Sequence, residues 1–251
     1  MSILLSVRDV VVAFDGLLAV DGATFDVEEG AIVGLIGPNG AGKTTMFNAV
    51  NGIHRPRTGS IAFAGEEIAG LPPQRVAKRG IARAHQVVRP LNDLSVLSNA
   101  MVGACFGREG HGLRGARTIA LEVLERLGLA DKADEPASRL NIGQKKRLEL
   151  ARALAARPRL LLADEVLAGL NPQEVDEMLD VFRDVRDAGV TVVMIEHLMQ
   201  AVMGLSDHVV VMDHGRVVAR GTPAQVQADP VVIEAYLGDP GAAERFLAEG
   251  G

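Results

Sequence analysis

Three short segments of the chain are almost continuously apolar: Ala31–Ile36, Leu160–Ala163 and Thr191–Ile195. Strands buried on both faces of a parallel sheet show this pattern, whereas strands with one solvent-facing side alternate. Each segment is followed by a polar or glycine-rich stretch. Because open parallel sheets bind ligands at the carboxyl ends of their strands, we expect the three strand ends to converge on one site.

Other β-prone segments are shorter and separated by turn residues. Leu5–Phe14, Ala23–Val27 and Ser60–Phe63 predict an antiparallel β-layer beside the parallel sheet. Val209–Met212 and Val217–Ala219 flank a turn that contains Gly215 and predict a hairpin.

The middle of the chain has helical patterning. Thr118–Leu127 carries leucines on one stripe, with Gly128 as a C-cap, and Gly143–Ala156 is a second helix stopped by Pro158. Gly107–Gly115 contains four glycines and is interpreted as a mobile surface loop.

Composition narrows the class of partner. The 251 residues suffice for one large domain or two small ones. A net charge of −6 and an aromatic content of 3% argue against binding of nucleic acid, which needs a basic field or exposed aromatic rings.

The chain also lacks the sequence marks of secretion or membrane insertion. Its one cysteine, Cys105, excludes an internal disulfide and is interpreted as a small apolar residue in a reducing, cytoplasmic setting. The N-terminus does not resemble a signal peptide, and no apolar run approaches the roughly 18 residues of a membrane span. We therefore expect that any membrane part is supplied by another chain.

A phosphate-binding loop is the most specific motif in the sequence. It comprises Gly37, Pro38, Asn39, Gly40, Ala41, Gly42, Lys43 and Thr44, followed by Thr45. Glycines let successive N–H groups point at one anion, and the helix predicted from Lys43 to about Asn51 adds the positive end of its dipole. In this motif the lysine reaches the β- and γ-phosphates, and the Thr44 hydroxyl binds Mg²⁺. The pattern predicts binding of ATP with Mg²⁺.

An acidic pair follows the second apolar segment. Asp164 is the expected Mg²⁺ ligand, and Glu165 is the expected group that polarises the attacking water. Taken alone, such a pair is more often a solvated strand end. Beside a phosphate loop it predicts hydrolysis.

With these motifs in place, the chain resembles the ATPase subunits of ATP-binding-cassette transporters over essentially its whole length. Leu140 to Gln144 stands where the family has its Leu-Ser-Gly-Gly-Gln signature, and Ala168–Asn171 matches the D-loop. Gln86 matches the Q-loop glutamine and His197 the switch histidine. The fold implied is a P-loop α/β core with an antiparallel β-layer and an inserted α-helical subdomain.

The resemblance implies roles for these residues. In the family two copies close head to tail, and each ATP lies between the phosphate loop of one and the signature of the other. His197 would contact the γ-phosphate, Gln86 would link Mg²⁺ to the transmembrane partner, and Phe14 would stack on adenine. The alternatives are a core residue for Phe14, a helix-capping or merely polar residue for His197 and an ordinary loop residue for Gln86. The basic cluster Lys145–Arg147 is interpreted as a solvated helix face.

The signature departs from the usual family form. Asn141 replaces the common serine and Ile142 the first glycine, whereas Gly143 and Gln144 are retained. The backbone N–H groups at the start of a helix remain an anion site, and the asparagine amide can donate in place of a hydroxyl. We expect a weaker or re-angled γ-phosphate contact with activity retained.

The variant signature, together with Gly169–Pro172 and Met194–His197, resembles the ATPases of branched-chain amino-acid importers. The C-terminal segments Gly221–Pro223 and Glu234–Gly238 resemble the same subfamily. This predicts a peripheral ATPase on the cytoplasmic face of the inner membrane. Its partners would be a second ATPase chain (identical or paralogous), integral membrane permease subunits and, indirectly, a solute-binding protein.

The expected architecture is a single cassette domain over residues 1–251. Residues 1–85 and 158–251 would form the nucleotide-binding core, 86–157 the helical subdomain, and the segment Gln86–Asn99 the permease docking surface. Alternatives are a soluble non-transport cassette ATPase, a lipopolysaccharide-exporter-type ATPase, a non-hydrolysing regulator and a small-molecule kinase.

Overall fold

The computed structural model describes residues 2–86 and 90–237; of Leu237 it describes the backbone only. Part of the predicted docking segment and Gly238 of the C-terminal motif lie outside these residues. The chain divides into two compact units, Met1–Pro73 with Thr191–Gly251, and Gln74–Val190. Two of the predicted helices, Thr118–Leu127 and Gly143–Ala156, lie in the second unit; the predicted boundaries of an inserted subdomain stay a prediction.

The strands are β1 (Ile3–Phe14), β2 (Leu17–Glu28), β3 (Ile32–Ile36), β4 (Thr58–Phe63), β5 (Glu66–Glu67), β6 (Ile81–Ala84), β7 (Leu160–Asp164), β8 (Thr191–Ile195), β9 (His208–Asp213) and β10 (Arg216–Gly221). The α-helices are α1 (Lys43–Val50), α2 (Pro73–Arg79), α3 (Val96–Phe106), α4 (Leu113–Arg126), α5 (Ile142–Ala155), α6 (Pro172–Asp187), α7 (Met199–Leu205), α8 (Pro223–Gln227) and α9 (Pro230–Leu237).

The first unit contains both kinds of sheet. An antiparallel sheet runs in the order β2-β1-β4-β5, and β3 lies between β8 and β9 and is parallel to both. All five residues of β3 are buried, as its continuous apolar run predicted. The parallel pairing places the carboxyl ends of β3 and β8 at the same edge, so two of the three predicted strand ends meet there.

Strands β1 and β2 are longer than predicted. Asp21 and Gly22 interrupt the apolar pattern ahead of the predicted Ala23, but β2 continues through them, and the pairing with β1 shifts register between Val7 and Val10 and between Val10 and Val12. Asp9 has a φ of 48°, which is the kind of conformation a bulge uses. Asp15 and Gly16, with φ values of 45° and 89°, turn the chain tightly from β1 into β2.

The second unit is mainly helical and contains the parallel pair β6 and β7. Ala104, Ala116, Ile119 and Ala155 of α3, α4 and α5 form a buried apolar cluster. The expected loop at Gly107–Gly115 is wrong from Leu113 onwards, since α4 begins there. A Cβ on Gly107 would lie 2.4 Å from Ala156 Cα, so this glycine permits close packing of the chain.

In the described residues, no helix combines the length and apolar character needed to cross a membrane.

Candidate functional site

The phosphate loop joins β3 to α1, as its sequence predicted. Gly37, Gly40 and Gly42 have φ values of 148°, 82° and 96°, a range that favours glycine. Space adds a second requirement at two of them. A Cβ on Gly37 would lie 2.0 Å from Met212 O, and a Cβ on Gly42 would lie 2.3 Å from Ala19 O. These two positions therefore accept only glycine without displacement of backbone.

Neighbouring backbone holds the loop in place. Gly215 donates its N–H to Ala41 O at 3.0 Å, and Asp21 donates to Gly215 O at 2.8 Å. Lys43 is buried, and its ammonium donates to the carbonyls of Gly37 (2.6 Å) and Pro38 (2.9 Å). The lysine thus folds back over its own loop, where an incoming anion would meet it.

The remaining predicted phosphate-contacting side chains differ in exposure. Asn39, Gly40 and Thr44 are exposed, Pro38 and Thr45 are half-buried, and Ala41 is buried. The Thr44 hydroxyl is accordingly accessible to a ligand at the start of α1.

Two further predicted residues lie in the first unit. Phe14 is 43% exposed and its ring meets the His54 ring edge-on at a centroid distance of 4.9 Å, so the core alternative is wrong. His197 follows β8 and is half-buried. Helix α7 starts at Met199, and its N-cap is Leu198, so His197 is not the N-cap of this helix.

In the second unit, the acidic pair lies at the carboxyl end of β7: Asp164 is its last residue and Glu165 follows it. Asp164 is 3% exposed and forms an ion pair with the guanidinium of Arg83 in β6. Its other oxygen, Oδ1, has no hydrogen-bond partner within the described part of the chain. A buried carboxylate oxygen without a partner is costly, and a bound cation or water is the ordinary remedy.

Glu165 adopts a φ of 48°, a conformation that costs a non-glycine residue on the order of 1 kcal/mol and is concentrated at functional sites. The side-chain amide of Gln86 donates to Glu165 Oε2. Gln86 therefore contacts the predicted catalytic carboxylate directly, and the ordinary-loop alternative does not describe it.

Sequence reasoning missed Arg83 and His85, which lie beside this acidic pair. Strand β6 is only four residues long, and its register with β7 places Arg83 opposite Leu162. Burial, followed by the charge of Arg83, lowers the pKa of His85 and so favours the neutral imidazole. Arg83 precedes the predicted Gln86 by three residues, and this proximity was the available sequence signal. It did not indicate a role for Arg83 until β6 and its pairing with β7 were known.

The signature segment begins α5, as predicted. Asn141 is the N-cap: its Oδ1 accepts from Gln144 N at 2.8 Å, and Gln144 Oε1 accepts from Asn141 N at 3.1 Å. This reciprocal pair is a capping box, which Asn forms as well as Ser. Ile142 is 68% exposed, so the residue that replaces glycine requires no space inside the fold.

Gly143 packs against the start of the next helix. A Cβ at this position would lie 2.5 Å from Glu174 Oε1. Glu174 belongs to the capping box with which Asn171, the last D-loop residue, begins α6. Inside one chain, the signature therefore lies against the first turn of α6, the helix that follows the D-loop.

The interpretation of Lys145–Arg147 as a solvated helix face is wrong for Lys146. This lysine is 7% exposed, and its ammonium donates to the carbonyls of Glu165, Val166 and Ala168. Arg147 forms an ion pair with Glu177 of α6. Helical period alone could not show this, because the turn after β7 that covers Lys146 is remote in sequence.

Comparison with known proteins assigns the class. Residues 20–168 match the ABC transporter family model, and residues 216–242 match the model named "Branched-chain amino acid ATP-binding cassette transporter". The chain belongs to the ABC transporter family, as an ATP-binding subunit with ATPase activity.

The particular relatives are close in length. The chain is 41% identical over 250 residues to the high-affinity branched-chain amino acid transport ATP-binding protein BraF of Pseudomonas aeruginosa, covering 94% of this chain and 98% of BraF. It is 40% identical, with the same coverage, to the corresponding LivG protein of Escherichia coli K12.

Solved structures agree with the fold. A nucleotide-free ATP-binding cassette from an ABC transporter superposes with a TM-score of 0.86 at 29% identity, covering 95% of this chain and all of the other. The ADP conformation of MJ1267, an ATP-binding cassette of an ABC transporter, superposes with a TM-score of 0.85 at 29% identity, covering 95% of this chain and 100% of that one. The predicted family and α/β fold class are confirmed.

Proposed function

We propose that this chain is the peripheral ATPase of an importer for branched-chain or other hydrophobic amino acids, located on the cytoplasmic face of the inner membrane. The observation that carries the proposal is the agreement with BraF and LivG over 94% of the chain. The separate match of the C-terminal residues 216–242 points to the same transport class.

The phosphate loop binds the nucleotide. Its N–H groups surround the phosphates, and the buried ammonium of Lys43 exchanges its two carbonyl contacts for the β- and γ-phosphates. The exposed ring of Phe14 stacks on adenine. Thr44 and Thr45 complete the contacts at the start of α1.

The residues present fit Mg²⁺, because Asp164 Oδ1 is a buried carboxylate oxygen without a partner. Asp164, Thr44 and Gln86 would hold the ion, all three through the oxygen ligands that Mg²⁺ prefers. When bound, Mg²⁺ neutralises charge on the β- and γ-phosphates. Arg83 offsets the charge of Asp164 in the absence of the ion.

Glu165 is the proposed general base. It accepts the hydrogen bond of Gln86 in this structure, so it must be released to polarise the attacking water. His197 contacts the γ-phosphate. Gln86 is also the first residue of the docking segment Gln86–Asn99, so it couples the position of the Glu165 carboxylate to the permease.

A second ATPase chain, identical or paralogous, completes the site. The Asn141–Gln144 helix start of one chain lies on the ATP held by the phosphate loop of the other. The amide nitrogen of Asn141 is the donor left over by the capping box, which uses the Oδ1. ATP binding closes the dimer and hydrolysis reopens it. The permease chains move with the ATPase chains in both steps.

The experiment is to co-purify the chain with its integral membrane partners and reconstitute them in vesicles with the solute-binding protein. Leucine, isoleucine or valine should stimulate phosphate release, and Glu165→Gln should reduce it about 100-fold or more, as expected for loss of a general base. Absence of membrane partners would indicate a soluble ATPase. ATP-driven efflux would indicate an exporter, and equal rates for wild type and Glu165→Gln would contradict the mechanism.

A further inference from the structure

Lys146 is a buried cation in the signature helix. It follows the N-cap Asn141 by five residues and lies on the side of α5 that faces the turn after β7, not the solvent. Burial of an ammonium is costly unless oxygen atoms surround it. Here they come from one short turn: Glu165 O at 3.3 Å, Val166 O at 3.2 Å and a closer contact with Ala168 O.

This turn carries the catalytic carboxylate. Glu165 has a left-handed φ of 48°, which persists only where the surroundings hold the backbone in place. The carbonyls of Glu165, Val166 and Ala168 all accept from one ammonium, and Glu165 O also accepts from Ala168 N at 3.4 Å. The turn is thereby fixed to α5, and Ala168 is the first residue of the D-loop.

We propose that Lys146 is a positioning residue that couples the signature helix to the backbone of Glu165. The inference rests on the proposed function in one respect: the start of α5 senses the ATP held by the partner chain. Lys146 then transmits that contact to the carboxylate of its own chain, which acts on the other ATP. The two ATP sites of a dimer are linked through this lysine.

The test compares Lys146→Met, which keeps the length and removes the donors, with Lys146→Arg, which keeps donors. Lys145→Met is the matched control, since Lys145 is half-buried and next to Lys146 in the same helix. Lys146→Gln replaces Lys146→Met if the latter does not fold. Steady-state ATPase assays give kcat, KM and the Hill coefficient of the ATP dependence.

We expect Lys146→Met to lower kcat about tenfold or more with KM changed less than about twofold, because positioning acts in the transition state. The Hill coefficient should fall toward one. Lys146→Arg should recover part of both, and Lys145→Met should match wild type. Unchanged kcat and Hill coefficient in Lys146→Met would overturn the proposal.

A second readout does not depend on transport, dimers or nucleotide. Hydrogen exchange of the amides from Val166 to Leu170 in the nucleotide-free chain should accelerate about tenfold in Lys146→Met, while exchange in β8 stays unchanged. Unaltered exchange in this turn would overturn the positioning role. Faster exchange with unaltered Hill coefficient would instead contradict the dimer on which the coupling rests.

Discussion

The phosphate loop and the start of α5 are both helix N-termini suited to an anion, but they are built from different parts. At the loop, the N-cap Gly42 has a φ of 96° and no side-chain cap, and backbone atoms fill the space that a Cβ would need. At α5, the N-cap Asn141 is extended, with a φ of −71°, and its side chain forms the cap.

The difference explains which positions can vary. At Gly37 and Gly42 only glycine fits without overlap with backbone atoms. A helix-capping oxygen, in contrast, can come from Asn, Ser, Asp or Thr. The exposed Ile142 meets no steric limit either. The family's phosphate-loop pattern is therefore intact in this chain, while its signature differs at two positions without loss of the helix start.

The largest loss of stability is expected at Gly37, and it tests the steric side of this comparison. Gly37→Ala places a Cβ 2.0 Å from Met212 O and should cost more than about 3 kcal/mol of unfolding free energy or prevent folding. Gly40→Ala is the control, because no atom lies within 4 Å of its Cβ, and backbone strain alone should cost about 1 kcal/mol. Urea unfolding measures both; equal losses would contradict the steric account.

A smaller effect is expected at Gly143. Gly143→Ala places a Cβ 2.5 Å from Glu174 Oε1, so the Glu174 carboxylate should move and lose the hydrogen bond that its Oε2 accepts from Asn171 N, at a cost of about 1 kcal/mol. In a Glu174→Ala background the same change should be neutral or stabilising, because Ala favours helix over Gly by up to about 1 kcal/mol. Identical costs in both backgrounds, in thermal or urea unfolding, would show that Glu174 is not the cause.

The smallest effect is expected for Asn141→Ser. Asn141→Ala removes the cap and should cost about 1 kcal/mol, whereas Asn141→Ser should stay within a few tenths. ATPase activity should follow the same order, with Asn141→Ser close to wild type and Gly143→Asp inactive. A large loss of phosphate release in Asn141→Ser at unchanged stability would assign a specific role to the asparagine amide.

Local patterns predicted the strands and the phosphate loop well. Thr191–Ile195 is β8 with the predicted bounds. A fully buried strand needs a continuous apolar run, and that run can be seen in the strand's own residues. The Asn141 cap was likewise predictable as a helix start from three or four neighbouring residues.

Contacts between remote segments were not predictable. Arg83 faces Asp164 only because β6 pairs with β7, and Lys146 is buried only because the turn after β7 covers it. The helical start at Leu113 was hidden by four nearby glycines, of which Gly107 is packed against Ala156. In each case tertiary packing determines the surroundings of the residue, and local composition does not reveal them.

The most direct test of the central claim, that the phosphate loop is half of a site, is the molecular mass of the Glu165→Gln variant in sedimentation with MgATP. Loss of the general base should trap a closed dimer that disappears without ATP or with Gly143→Asp added. The dimer forms either from the chain alone or with the ATPase chain that co-purifies with it. A variant that binds ATP yet stays monomeric in both mixtures would contradict the account.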